Sequence, residues 1–144
     1  MIALIQRVRQ ARVEINNDCV GKINQGILIL LGVEASDNKV HADKLLHKIL
    51  NYRLFSDKAG KMNLCVKDIQ GEILVVSQFT LVAQTDKGLR PSFTKGAPPA
   101  LAEELYDYFV QQAKEQVPTQ TGQFAQDMQV FLQNDGPVTF TLQV

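Results

Sequence analysis

Apolar and charged positions alternate along the first fifteen residues: Ile2 and Leu4 lead into a stretch carrying Arg7, Arg9 and Arg12, and Val13 and Ile15 close it. Period-two alternation marks a half-buried strand. The following Asn16-Asn17-Asp18 has turn chemistry, so Cys19–Ile23 is predicted to return as the partner strand of a hairpin. Gly26–Val33 (GILILLGV) has no polar side chain, which predicts a strand buried on both faces. Ser36-Asp37 then signals a helix start, and Ala42, Leu45, Leu46, Ile49 and Leu50 form one apolar stripe at helical spacing. Arg53–Phe55 reads as a short strand, Asp57–Lys61 as a loop, Leu64–Val66 as an edge strand and Gln70-Gly71 as a turn. Glu72–Ala83 (EILVVSQFTLVA) is the strongest strand signal in the chain.

Gln84–Pro99 is a long connection holding Gly88, Pro91, Gly96, Pro98 and Pro99. Connections longer than about 12–15 residues in compact domains are usually functional or disordered. A second amphipathic helix is predicted over Ala100–Gln116, with Leu101, Leu105, Tyr108, Phe109 and Gln112/Ala113 inward and Val117-Pro118 as its stop. Two alternating strands finish the chain, Phe124–Leu132 and Val138–Val144, with Asn134-Asp135-Gly136-Pro137 between them. The sum is an α/β domain of seven or eight strands, in which a strongly curved or doubled sheet is covered by two helices.

Length and composition narrow this further. The 144 residues suit one domain over 1–144, and 45% hydrophobic with 21% charged residues is globular composition. No run of 18 apolar residues offers a membrane span. The interrupted apolar pattern at the start reads as a strand of a cytoplasmic protein, and Cys19 and Cys65 as free thiols. Charge balances at 15 against 15, so the whole does not announce a polyanion binder. Its distribution is uneven: residues 1–96 carry 14 Lys/Arg and 9 Asp/Glu, whereas 97–144 carry Lys114 against six acids. Either the first part offers a basic surface to a polyanion, or these are solvated faces of different elements.

The usual catalytic sets are missing. His41 and His47 lie six apart on a helix, off one another's face, and no cysteine or carboxylate completes a zinc set. Phosphate-binding glycine loops and nucleophile elbows are likewise lacking. Two places break local rules instead. Ser77, Gln78 and Thr80 interrupt an apolar strand, with Ser77, Phe79 and Leu81 predicted on one face and Gln78, Thr80 and Val82 on the other. An unpartnered buried polar group costs about 1–3 kcal/mol, so either this strand end lines a polar pocket or its side chains bond nearby backbone. Gly136-Pro137 sits between two strands without hairpin chemistry. It is either an ordinary trans turn or a cis peptide whose glycine admits another molecule close to the backbone.

Three stretches in order, Ser77-Gln78-Phe79-Thr80-Leu81, Gly88-Leu89-Arg90-Pro91-Ser92-Phe93 with Lys95-Gly96-Ala97, and Asn134-Asp135-Gly136-Pro137-Val138-Thr139, closely resemble the D-aminoacyl-tRNA deacylase family. Gln6-Arg7-Val8 is similar to that family's first strand, and the resemblance covers essentially the whole chain. It implies a compact β/β/α fold with a barrel-like curved sheet. It implies a homodimeric cytoplasmic editing hydrolase that cleaves the ester between a D-amino acid and tRNA. Finally, it implies that Gly136-Pro137, as a cis element, reaches into the partner subunit's active site, rejects L-amino acids and binds the substrate ammonium, with Arg7 holding that element.

Physical chemistry completes this expectation. A ribose ester is already activated, so a positioned water and a stabilised oxyanion suffice, with no histidine, metal or cofactor. Backbone N–H groups around Phe79 and Thr80 are the expected oxyanion donors, with the Gln78 side chain as orienter and Ser77 beside it. Thr80 either positions the substrate while the neighbouring 2′-hydroxyl assists, or acts as a nucleophile lacking an obvious base. Lys87, Arg90 and Lys95 are the expected tRNA contacts. Glycyl-tRNA, having no side chain to reject, is an expected second substrate. The rivals are an editing hydrolase for another ester such as L-alanyl-tRNA, which a trans Gly-Pro would admit, and a non-catalytic small-ligand module.

Overall fold

The structure, a computed structural model, describes residues 1–144. Its strands are β1 (Ile2–Ile15), β2 (Asp18–Ile23), β3 (Gly26–Gly32), β4 (Phe55–Ser56), β5 (Met62–Leu64), β6 (Glu72–Ser77), β7 (Thr119–Thr121) and β8 (Gln129–Gln143). Helix α1 spans Lys39–Leu50, α2 spans Pro99–Lys114, and a 3-10 helix spans Phe79–Val82. The expected α/β architecture is what the chain adopts. The main sheet runs β2-β1-β3-β6-β7, with β8 pairing along β1, and β4-β5 form a separate ribbon.

One edge of β1 is divided: its first half pairs with β3 and its second half with β2. A strand that serves two partners must bend, and a register irregularity between Val13 and Glu14 lies in the bent half. The sheet curls until β2 approaches β7, where a Cβ on Gly21 would run into the Thr121 carbonyl oxygen. The result is a nearly closed barrel.

Burial follows from this curl. β3 and β6 pair in parallel, and their alternate residues feed two cores. Ile27, Ile29, Leu31, Ile73 and Val75 join a cluster of 24 buried residues under α1 and α2. Leu28, Leu74 and Val76 join Val8, Ala11, Val13 and Ile23 inside the curl, a cluster of 7. A strand buried on both faces has no polar positions, which is the pattern read for Gly26–Val33.

Several boundaries differ from expectation. Helix α1 begins one to two residues later than the Ser36-Asp37 signal: Asn38 caps it, accepting from Val40 N at 2.9 Å, and His41 Nδ1 accepts from Asn38 N at 3.3 Å. Such a cap is worth about 1 kcal/mol. Asp37 is instead buried, taking the Met1 ammonium at 2.6 Å and Glu34 N at 2.7 Å. Helix α2 buries Leu105, Tyr106, Phe109, Val110 and Ala113, so the inward stripe is shifted from the one predicted through Tyr108 and Gln112. Tyr106 can be buried because its hydroxyl donates to Val75 O at 2.9 Å, whereas Tyr108 reaches Asp43 at the helix edge. The predicted edge strand at Leu64–Val66 lies at Met62–Leu64, because Val66 turns into the core. No helix is long and apolar enough to cross a membrane.

Candidate active site

β6 delivers Ser77 to its end, still in register with Leu31. The predicted continuation to Ala83 does not occur. Gln78 N makes a last bond to Leu31 O at 2.8 Å, β3 ends at Gly32, and the chain turns into the 3-10 helix. The expected alternation of faces therefore fails. Gln78 and Thr80 lie together, with Gln78 Nε2 donating to Thr80 Oγ1 at 2.5 Å. The N–H groups of Phe79 and Thr80 stand at the open N-terminal end of this helix, ahead of its internal bonds. Thr80 is exposed, and no histidine or carboxylate bonds its hydroxyl.

A cleft of about 580 Å³ opens beside this turn, within the range of small-molecule sites. Ser77, Gln78 and Phe79 form one wall, and Phe124, Ala125 and Met128 form the opposite one. That second wall was not legible in the sequence. Residues 122–128 precede β8 as an irregular connection rather than the predicted strand start, and Ala125 sits at φ +58°. Its sequence alternates as part of the strand predicted over Phe124–Leu132, so nothing in the sequence signalled a wall there. Tyr106 backs Phe124, ring centroids 5.9 Å apart, tying the wall to α2.

The two strands predicted around Gly136-Pro137 are one strand. β8 pairs with β1 from Gln143 to Gln129, but between the partners Gln6↔Thr139 and Val8↔Asn134 it holds four residues opposite Arg7 alone. Asp135–Val138 are thus extruded from the ladder. Arg7 pins the extrusion, donating from Nε to Asp135 O at 2.8 Å and from Nη1 to Leu54 O at 2.6 Å. Asn134 spans it: its Oδ1 accepts from Val138 N at 2.9 Å and its Nδ2 donates to Thr139 Oγ1 at 2.9 Å. The Gly136-Pro137 peptide is cis, Gly136 has φ +145°, and both residues are exposed. Neither of them lines the cleft of their own chain.

Lys87, Arg90 and Lys95 are all exposed on the long connection. Its neck is closed by Gln84 N to Ser92 O at 2.8 Å and the reciprocal bond at 3.1 Å, and Gly88 turns the tip at φ +72°. Lys95 lies at the base, where its carbonyl accepts from Ala35 N at 2.9 Å. Burial raises the Glu34 carboxyl pKa, but the bonded Met1 ammonium, with Gln143 and Lys95, brings it below the ordinary value. No group of three or more His, Cys, Asp or Glu side chains is assembled as a metal site, and both cysteines are free.

Fold and cleft together describe a small barrel-like α/β protein with a substrate-sized recess at the end of a central parallel strand. The family model for D-Tyr-tRNA(Tyr) deacylase matches residues 4–143. A curated D-aminoacyl-tRNA deacylase of Haemophilus influenzae (strain PittEE) is 65% identical over 144 residues, spanning 100% of both chains. Another, of Actinobacillus pleuropneumoniae serotype 5b (strain L20), is 64% identical with the same coverage. Among solved structures, the c-Myc DNA Unwinding Element Binding Protein is 40% identical with a TM-score of 0.94, covering 100% of this chain and 99% of that one. The chain belongs to the D-Tyr-tRNA(Tyr) deacylase family. It is accordingly a hydrolase acting on the ester bond of an aminoacyl-tRNA.

Proposed function

We propose that the protein releases D-amino acids from the 3′ end of tRNA as a cytoplasmic homodimer, Gly136-Pro137 of one subunit closing the Ser77–Thr80 cleft of the other. The observation that carries this reading is that one chain presents the two halves separately. The cleft is open and untouched by Gly136 or Pro137, while that pair stands exposed on an extrusion held by Arg7 and Asn134. Two outward-facing halves are completed by a second copy across a two-fold axis. In the chemical step a water oxygen attacks the ester carbonyl carbon. The bond to the ribose oxygen breaks, and a proton from the water ends on that oxygen. The N–H groups of Phe79 and Thr80 receive the developing oxyanion, a contribution of the kind worth about 10²–10³-fold per donor. Gln78 orients Thr80, and without a base beside it Thr80 positions the substrate while the neighbouring 2′-hydroxyl assists.

The test is release of D-tyrosine from D-tyrosyl-tRNA alongside the L-tyrosyl form. Hydrolysis of the D ester with the L ester untouched supports the reading. Binding without turnover points to a ligand module, and turnover of L-alanyl-tRNA to a different editor.

Rejection by backbone has a stereochemical consequence. A filter that checks for the absence of a group at one position passes any substrate lacking it. Glycyl-tRNA is therefore expected to be hydrolysed. D-Tyr, D-Phe and D-Asp esters are expected to differ far less among themselves than each differs from its L form. Resistance of glycyl-tRNA together with sharp discrimination among D side chains would replace the backbone filter with a side-chain pocket.

Lys87, Arg90 and Lys95 are expected to meet the acceptor end. With about −0.7 per single-stranded phosphate neutralised, three contacts give a log-log salt slope near −2 for tRNA affinity. Charge reversal at Lys87 and Arg90 is expected to flatten that slope. An unchanged slope removes them from the interface.

A further inference from the structure

The far half of β1 faces its two neighbours with cations that the reaction does not use. Arg12 stands between two cross-strand partners, Lys22 on β2 and Phe131 on β8, and Gln10 faces Gln133 further along the same pair of strands. With Ala11 and Leu132 these residues line a recess of about 430 Å³, and no carboxylate lines it.

Arg12 is held in place from two sides. Its Nε donates to Glu14 Oε1 at 2.6 Å, and its guanidinium carbon lies 3.9 Å from the Phe131 ring centroid. These contacts fix the guanidinium and leave its two Nη groups to donate. Lys22 is exposed directly opposite on the same face, where like charges repel. Glu14 offsets only one of the two charges. The remaining repulsion is relieved by a bound anion.

The surroundings select that anion. A pre-organised guanidinium beside a lysine suits a phosphate, whose oxygens accept from both. An apolar protein partner is disfavoured. Phe131 and Leu132 are 41% and 38% exposed, but consecutive residues leave opposite faces of a strand and Arg12 lies over the Phe131 ring, so they form no continuous patch. The family's substrate, an aminoacyl-tRNA, carries a row of phosphates. β8 pairs with β1 alone and carries Val130 of the cleft next to Phe131 of the recess. A nucleic acid crossing the open edge of β8 meets both.

We propose that Arg12 and Lys22 form a phosphate site for the tRNA backbone, separate from the cleft and from the long connection. It holds one phosphate and reads no base. The inference rests on tRNA being the substrate, and not on the cis element or the dimer.

Lys22→Glu is the informative variant, because it supplies the missing anion from the protein itself. An opposite-charge pair then faces Arg12, so the urea midpoint is expected to stay at or above that of the parent. Lys44→Glu, at an exposed position of α1, makes the same charge change away from the recess. Filter binding of uncharged tRNA over a salt series does not depend on turnover. One phosphate contact adds about −0.7 to −0.9 to the log-log slope, and Lys22→Glu is expected to lose that amount while Lys44→Glu keeps the parent slope. On D-tyrosyl-tRNA the KM of Lys22→Glu is expected to rise about tenfold, the scale of one charge-assisted bond, with kcat within about twofold. The D-tyrosyl ester of adenosine, which has no phosphate, is expected to be hydrolysed equally by parent and variant. If the slope changes as stated but the parent releases no D-tyrosine, the phosphate site stands and the D-amino acid reading falls. An unchanged slope and KM, an equal loss in Lys44→Glu, or an equal loss on the adenosine ester would each overturn the site. So would a shifted monomer–dimer equilibrium in Lys22→Glu, which would make the recess a subunit contact.

Discussion

Replacing Gly136 with alanine is expected to lower kcat/KM on a D-aminoacyl-tRNA by on the order of 100-fold or more, the scale of loss that follows when a positioning element shifts by about 1 Å. Gly136 sits at φ +145°, a region that residues with a side chain rarely enter. An added Cβ would lie 2.7 Å from Val138 Cγ2, 2.9 Å from Val138 N and 3.2 Å from Arg7 Nη2. These are neighbours of the contacts that hold the extrusion, so it cannot keep its shape. Because Gly136 is exposed and outside both cores, global stability is expected to fall by no more than about 1–3 kcal/mol, the cost of local backbone strain. Thermal unfolding beside the kinetic assay separates the two effects. If the extrusion works across a dimer, mixing Gly136→Ala with Thr80→Ala subunits restores activity. Half of the dimers are hybrids and each has one intact site, giving about a quarter of the parent activity. No recovery in proven hybrids, or full activity in a monomer, would put the extrusion back in its own subunit.

Gly26→Ala is expected to cost at least about 4 kcal/mol of stability, a large part of the 5–15 kcal/mol that holds a typical domain folded. Gly26 opens β3 opposite Glu72, the first residue of β6. A Cβ there would overlap the Glu72 carbonyl oxygen and stand 2.7 Å from its carbon and 2.8 Å from its nitrogen. All three are backbone atoms in a parallel ladder, so relief requires parting the two strands that feed both cores. The urea midpoint reads the loss. A change within about 1 kcal/mol would show that β3 and β6 separate at this end without disturbing either core.

The candidate site is partly legible in the sequence. Ser77, Gln78 and Thr80 stood out because polar residues interrupted an apolar run, and the structure places Ser77, Gln78 and Phe79 along a cleft with Thr80 bonded to Gln78. Gly136-Pro137 stood out because it broke an alternating pattern without turn chemistry. The other cleft wall, Phe124 to Met128, reads in the sequence as the start of a strand, because Met128, Val130 and Leu132 alternate onto one face. β7, only Thr119–Thr121, is too short for any periodicity to register.

Local pattern determined what depends on a residue's own neighbours along the chain. The β1–β2 hairpin followed from its turn residues, β3 from the absence of polar positions, and α1 from one apolar stripe. Tertiary structure decided whatever depends on a distant partner. Phe79–Val82 form a 3-10 helix, despite strand-forming residues, because β3 ends at Gly32 and leaves them no ladder. Tyr106 is inside rather than Tyr108 because a carbonyl on β6 waits for its hydroxyl. β8 is one strand because β1 continues beneath it on both sides of the extrusion, and Arg7, some 128 residues away, holds that extrusion in place. A strand or stripe is encoded by the periodicity of its own side chains, but where it stops depends on hydrogen-bond partners supplied by remote segments.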